Sequence, residues 1–152
     1  PGTTTALYEE KINAYKHFAN KIWNVARFVE ENCGTIAKKP TLSTKDKKHL
    51  AELTKTIKEV TKDLENYKFY LAGEKLYHYI WHTFADKILE ESKDILKGTN
   101  KKDKISRQWL LREMFIIQLK ALHPFIPFVT EEIWQTISKS KSPLMIETWP
   151  SK

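Results

Sequence analysis

The sequence predicts an all-α protein: an antiparallel helical bundle of about five helices with a short extended C-terminal tail. Three observations carry that expectation. Apolar residues recur at spacings of three and four in five separate stretches, as one face of a helix requires. Gly (4) and Pro (6) are few among 152 residues, too few for the many turns of a β-sandwich. The polar connections between the stretches are short, which makes consecutive helices antiparallel neighbours.

The first helix is expected from about Thr5 to Asn32. Ile12, Tyr15, Ala19, Ile22, Ala26 and Val29 form its apolar stripe. Glu9 and Glu10 sit near its start, where the helix dipole favours anions. Gly34 follows its end and offers a left-handed terminating residue. The second helix has the cleanest pattern: Leu50, Leu53, Ile57, Val60 and Leu64 alternate steps of three and four, a coiled-coil-like seam. Ser43 and Asp46 resemble a capping box at its start, after a basic loop containing Pro40.

The third helix runs from about Leu71 to Leu96. Leu76, Tyr77, Ile80, Trp81, Phe84, Ile88 and Leu89 give it a wide apolar face, which predicts a central position. Gly98 and Asn100 end it in a polar, basic loop over residues 98–104. The fourth covers about Ile105 to Leu122. Its run Met114-Phe-Ile-Ile117 is apolar on every side, and its length and flanks favour a buried helix over a strand. His123-Pro124 stops it, because proline cannot continue the hydrogen-bond ladder. The fifth begins around Pro127 to Thr130, with Glu131 and Glu132 in its first turn. Phe128, Ile133, Trp134 and Ile137 are expected to face inward. A Lys/Ser stretch follows Ser138, and Leu144 to Pro150 reads as an extended tail with two apolar anchors.

At 152 residues the chain reads as a single domain, residues 1–152. A chain of this size buries roughly 70% of the surface its unfolded state exposes. The 41% hydrophobic and 12% aromatic content supports a real core. One cysteine, Cys33, excludes an internal disulfide and a Cys-rich zinc site. No apolar run approaches about 18 residues, and no signal peptide opens the sequence, so a cytoplasmic protein with no membrane partner is expected.

The formal charge is +7. Residues 38–68 hold nine lysines and five acids, and residues 93–107 hold six basic residues and two acids. The remainder carries 11 basic and 12 acidic residues, so two segments supply the whole excess. A positive excess of this kind suits a polyanionic partner. The same lysines also suit solvated helix faces.

Catalytic machinery is sparse. There is no glycine-rich phosphate loop and no nucleophile elbow. His78 and His82 are four apart, a metal-ligand spacing on a helix, but no third ligand accompanies them, and histidines beside a core are the simpler reading. Cys33 has no base partner in sequence and reads as a buried or helix-end thiol. Lys139-Ser-Lys-Ser142 is a short polar run of a kind that arises easily by chance. Trp23, Trp81 and Trp134 lie on or beside apolar faces, where core packing is the default role.

Four segments together resemble a known family. They are His17-Phe-Ala-Asn-Lys-Ile-Trp-Asn-Val-Ala-Arg-Phe-Val29, Leu76-Tyr-His-Tyr-Ile-Trp-His-Thr-Phe-Ala-Asp-Lys-Ile-Leu-Glu-Glu-Ser-Lys93, Leu122-His-Pro-Phe-Ile-Pro-Phe-Val-Thr-Glu-Glu-Ile-Trp134, and the Leu144 to Pro150 exit with its Trp149-Pro150. The resemblance is to the anticodon-binding domain of class I aminoacyl-tRNA synthetases and covers about residues 8–150. The third segment is shared by the valyl, leucyl and isoleucyl branches; the first two favour the valyl branch, valine--tRNA ligase. Two departures stand out. Asp86 is followed by Lys87-Ile88, where the family usually has two aromatics. The run Asp46-Lys47-Lys48-His49 lacks the aromatic common at the start of the second helix.

The resemblance implies a helical bundle that binds the anticodon stem-loop of tRNA as part of a larger enzyme. That parent would join valine to its tRNA using ATP and magnesium. The catalytic Rossmann domain, with its two ATP-binding signatures, is not in this sequence, so the chain alone is expected to be inactive, with no cofactor and no metal of its own. The parent catalytic domain would be a partner in cis, and a monomer is expected. For tRNA contact the resemblance and the basic segments point first to Arg27, then Lys47 and Lys48, then His49. Lys21, Asn24 and Asp86 belong to the matched motifs, with internal bonding as their competing role, and Asn20 shares it. The alternatives are the same domain from a leucyl- or isoleucyl-type enzyme, or a structural, protein-interacting bundle that reads no bases. If residues 38–49 and 98–107 fall on opposite faces and no aromatic is exposed, the interaction reading gains.

Overall fold

The computed structural model describes residues 9–138 and 142–150. The start expected at Thr5, the side chains of Glu9, Glu10 and Ile12, and the Lys139–Lys141 run lie outside the described residues. The elements are α1 (Glu9–Asn32), α2 (Thr44–Glu65), α3 (Phe69–His78), a π-helical segment (Tyr79–Leu89), α4 (Glu90–Lys97), α5 (Lys101–Leu122) and α6 (Pro127–Ile137). A 3₁₀ turn, Leu144–Ile146, sits in the tail. No strand occurs among the described residues.

The expected third helix is one rod built from three pieces. α3 passes through the π-helical segment into α4 without a break, since His78, Tyr79, Leu89 and Glu90 all keep helical backbone angles. Bonding from residue i to i+5 puts more residues on each turn than an α-helix does. The segment buries Ile80, Phe84, Ala85, Ile88 and Leu89 on its inner side. That is the wide apolar face the sequence shows, and it makes this rod central as expected.

One continuous core joins the helices. Ile22 and Val29 of α1, Leu53 and Val60 of α2, Leu76 of α3, and Leu110, Met114 and Leu119 of α5 are all fully buried. The Phe84 and Phe115 rings lie parallel, 6.4 Å apart, and join the π segment to α5. α5 buries residues on so many sides that its apolar and polar positions nearly cancel around the axis, which explains the all-round apolar run at Met114–Ile117.

The caps follow local chemistry with two corrections. Ser43 Oγ accepts from the Asp46 backbone N–H at 3.1 Å, the expected cap of α2. The Asp46 carboxylate does not reach back in a capping box; it turns into the protein. Gly34 does not take a left-handed conformation. Gly98 also ends its helix in extended backbone, and there a Cβ would press to 3.3 Å against the Asp94 and Ile95 carbonyl oxygens. The left-handed residue among those described is instead Tyr67, φ 58°, in the tight α2–α3 turn.

Phe128 corrects a third expectation. It is 90% exposed, because α6 starts at Pro127 and turns Thr130, Ile133, Trp134 and Ile137 inward instead. The tail is anchored as expected, though by polar bonds as well as apolar ones. Leu144 is buried and its N–H donates to Glu131 Oε2 at 2.9 Å. Trp149 Nε1 donates to Thr61 Oγ1 at 2.9 Å, pinning the tail to α2.

Two substitutions separate core from surface here. Phe84→Ala should cost about 3–5 kcal/mol of folding stability, the usual loss for a fully buried phenylalanine. Phe128→Ala should change it by less than about 0.5 kcal/mol. Urea unfolding midpoints, compared at constant m-value, measure both.

Candidate nucleic-acid interface

The two basic segments meet at one end of the bundle. The first is the loop leading into α2; the second is the α4–α5 loop and the first turns of α5. What joins them is a buried polar cluster. Arg107 of α5 is 1% exposed, and Asp46 of α2 is 2% exposed. Arg107 Nε donates to Asp46 Oδ1 at 2.8 Å, and Nη2 stands 2.8 Å from the same oxygen in the ion pair. Ser106 Oγ donates to Asp46 Oδ2 at 2.6 Å. Arg107 Nη1 then donates to Glu91 Oε1 and to Ser92 Oγ, each at 2.9 Å. The cluster therefore ties α2, α4 and α5 together within a few ångströms of both basic loops.

Glu91 is its wet edge. Besides Arg107, it accepts from His49 Nε2 and Lys45 Nζ, each at 2.8 Å. Burial alone would raise its carboxyl pKa. The hydrogen bonds from Lys45, His49 and Arg107 outweigh that and hold it down at about 2.

Around this fixed point the surface is cationic. Lys38, Lys39, Lys45, Lys47 and Lys48 are exposed on the α2 side, and Lys97, Lys101 and Lys102 on the α5 side. A shallow pocket of about 350 Å³ lies between the sides, bordered by Lys45, Ile95, Gly98, Thr99 and Asn100. Asn100 Oδ1 caps α5 by accepting from the Lys102 and Asp103 N–H groups.

The expected site residues fall into three groups. Lys47 and Lys48 are exposed at the basic end, with no ion pair among the described residues. His49 is 7% exposed and turned onto Glu91, so it braces the cluster from within. Lys21 and Asp86 pair with each other at 2.8 Å, joining α1 to the π segment. The Lys21 bond, with a smaller share from His82 at 3.5 Å, draws the Asp86 pKa below its usual value. Lys21 also stands 5.5 Å over the Trp81 ring. Arg27 and Asn24 lie on an exposed stripe of α1 with Asn20 and Glu31, and Arg27 makes no ion pair among the described residues. No described contact brings Arg27 to Lys47 or Lys48.

Sequence reasoning missed Arg107 except as one unit of charge. The signal was its register: Arg107 falls in the same helical stripe as Leu110, Leu111 and Met114, a charge where apolar residues belong. The remaining chemistry is quiet. Cys33 is fully buried, and its thiol is pushed up to about 12 by burial, only partly offset by Arg112. That keeps it protonated and poorly nucleophilic. The His78 and His82 rings pack 5.5 Å apart on the surface, and no group of three or more potential metal ligands occurs among the described residues. No described helix is long and apolar enough to cross a membrane.

Residues 46–152 match the family model described as the anticodon-binding domain of tRNA ligase. The chain is similar to valine--tRNA ligase of Thermotoga maritima, 42% identical over 151 residues, which is 98% of this chain and 17% of the relative. It is 41% identical to that of Petrotoga mobilis over 91% of this chain and 16% of the relative. With that of Pelagibacter ubique it shares 39% identity over 99% of this chain and 18% of the relative. The chain thus spans about a sixth of the length of the curated relatives it matches.

Arg107→Ala should destabilise the fold by about 3–5 kcal/mol, because it leaves the Asp46 carboxylate buried without its partner; urea denaturation measures it. The depressed Glu91 pKa sets a second expectation. A carboxyl whose folded pKa lies below its unfolded value contributes stability above the unfolded value, and that contribution is lost as pH falls. Melting temperature should therefore drop between about pH 4.5 and pH 2, the window set by Glu91. Glu91→Gln should flatten the profile in that window, in thermal melts followed by circular dichroism.

Proposed function

From the premise that the chain belongs to the anticodon-binding domain family of tRNA ligases, we propose that it binds the anticodon stem-loop of a valine tRNA, as one module of a valine--tRNA ligase. The observation that carries this reading is the convergence of both basic segments on one end of the bundle, held there by the Asp46–Arg107 pair. A bundle that served only protein packing has no need to gather exposed lysines from two separate segments at one end.

In this reading the exposed lysines at the basic end attract the phosphate backbone and fix its position. Arg27 reads a loop base, since its planar fork offers five donors in fixed geometry to a base edge or phosphate. Lys47 and Lys48 meet phosphates at the start of α2, where the run Asp46-Lys47-Lys48-His49 lacks the family's common aromatic, so this run supplies charge and no stacking. Asn24 assists Arg27 from the same stripe of α1. Lys21 and Asp86 orient each other and Trp81 rather than the RNA, and His49 acts only through Glu91. Joining valine to tRNA with ATP and magnesium is proposed for the regions of the parent outside this chain.

The test is binding of the valine anticodon stem-loop against an unrelated stem-loop across a salt series. Tighter binding of the valine stem-loop, weakening linearly with the logarithm of salt, is expected. Equal affinity for the two RNAs would remove the anticodon-reading proposal. Arg27→Ala should lose discrimination at one loop base with an unchanged melting temperature; a lower melting temperature with full discrimination would make Arg27 structural.

A further inference from the structure

A groove of about 760 Å³ runs along the outer face of α2, between that helix and the loop before it. Its floor is apolar: Pro40, Leu42, Leu50 and Ala51. Its rim carries Lys39, Lys47, Lys55 and Lys58, and no carboxylate lines it. Three of these lysines lie along a single stripe of the helix, and at about 1.5 Å per residue the row from Lys47 to Lys58 is about 16 Å long. Lys39 closes the other side, its ammonium standing 5.1 Å over the Trp109 ring.

None of the four lysines is in an ion pair among the described residues, although elsewhere Lys21, Lys45, Lys75, Lys93 and Lys120 all are. Unpaired like charges one turn apart, as at Lys55 and Lys58, repel and weaken a helix slightly. An anion laid along the row would relieve that repulsion. The floor asks for something more than a bare anion: an apolar or aromatic surface about the width of the groove. A single RNA strand offers both, with phosphates for the rim and base faces for the floor.

We infer that this groove is a sequence-independent binding site for a single RNA strand, continuous through Lys47 with the basic end. The inference rests on the anticodon reading for its choice of RNA as the polyanion, and it extends that reading to residues outside every matched motif: Lys39, Lys55 and Lys58.

The experiment measures binding of the whole chain by fluorescence anisotropy, using a labelled oligo(U) strand and the valine and unrelated stem-loops, over a salt series. Each single-strand phosphate contact contributes a slope of about −0.7 in log affinity against log salt. The double variant K55Q/K58Q should make the oligo(U) slope shallower by about 1.4 and weaken both stem-loops equally. K55R/K58R should restore the slope, and circular dichroism verifies that both variants fold. An unchanged slope in K55Q/K58Q overturns the groove while leaving the anticodon reading intact. Equal affinity of the unmodified chain for the two stem-loops, together with a shallower oligo(U) slope in K55Q/K58Q, supports the groove and overturns the anticodon reading; a preference lost only in K55Q/K58Q overturns the groove's sequence independence. Competition by polyglutamate or anionic phosphatidylserine vesicles as effective as that by oligo(U) at equal charge overturns the assignment to RNA.

Discussion

The pairing of Asp46 with Arg107 is the constraint on which the rest of this structure depends. Both groups are almost wholly removed from water. Taking two charges out of water is costly, and their attraction offsets the cost only when the geometry is good and the remaining donors and acceptors are satisfied. Here they are. Asp46 accepts from Arg107 Nε and from Ser106, with Arg107 Nη2 in the same ion pair, and Arg107 Nη1 donates to Glu91 and Ser92. An apolar replacement of similar volume would tolerate sliding of α2 along α5. The fork does not, because a planar guanidinium meets a carboxylate in few orientations. Ser43 N–H adds a longer contact of 3.4 Å to the same Ser106 hydroxyl that serves Asp46, so the α2 cap and the ion pair are one unit.

That unit sets where the surface charge goes. Asp46 is followed at once by Lys47 and Lys48, and Arg107 is preceded by Lys101, Lys102 and Lys104. Fixing Asp46 at the start of one run and Arg107 at the end of the other holds the lysines close by, on adjoining surface. Glu91 links this arrangement to solvent, taking Lys45 and His49 on its open side. Asp46 thereby does structural work inward, while Lys47 and Lys48 beside it are left outward. Asp46 and Arg107 neutralise each other inside the protein, so the surface at this end keeps the net positive charge of the two segments.

How much of this the sequence discloses depends on the range of the interaction. Helices, their order and their buried stripes are legible because periodicity is local; so are the Ser43 cap and the stop at Pro124. The π-helical stretch is not, because its residues Ile80, Phe84, Ala85, Ile88 and Leu89 fit an α-helical stripe almost as well. Phe128 misleads because one turn of α6 has too few residues to define a face, and Pro127 rather than the apolar pattern sets where the turn begins. His49 is the plainest case. In sequence it extends a run of lysines, and only its meeting with Glu91, 42 residues away, shows that it faces inward. Lys21 and Asp86 likewise meet across 65 residues. Membership of the family was legible in whole segments; which of their polar residues are committed inside the protein was not.

The same distinction bears on how a family motif is carried from one chain to another. A residue in a matched segment has one of two jobs, and its partners in the free protein tell them apart. Lys21, His49 and Asp86 are already bonded, so using them on RNA would require breaking a contact first. Arg27, Lys47 and Lys48 are exposed with no ion pair among the described residues, so an incoming phosphate or base edge meets no described ionic competitor. Exposed cations of this sort gain little by pairing within the protein, yet gather many counterions that a polyanion releases on binding. In a domain whose core needs only one buried cation, the free surface lysines are those an RNA backbone can use at least cost to the fold.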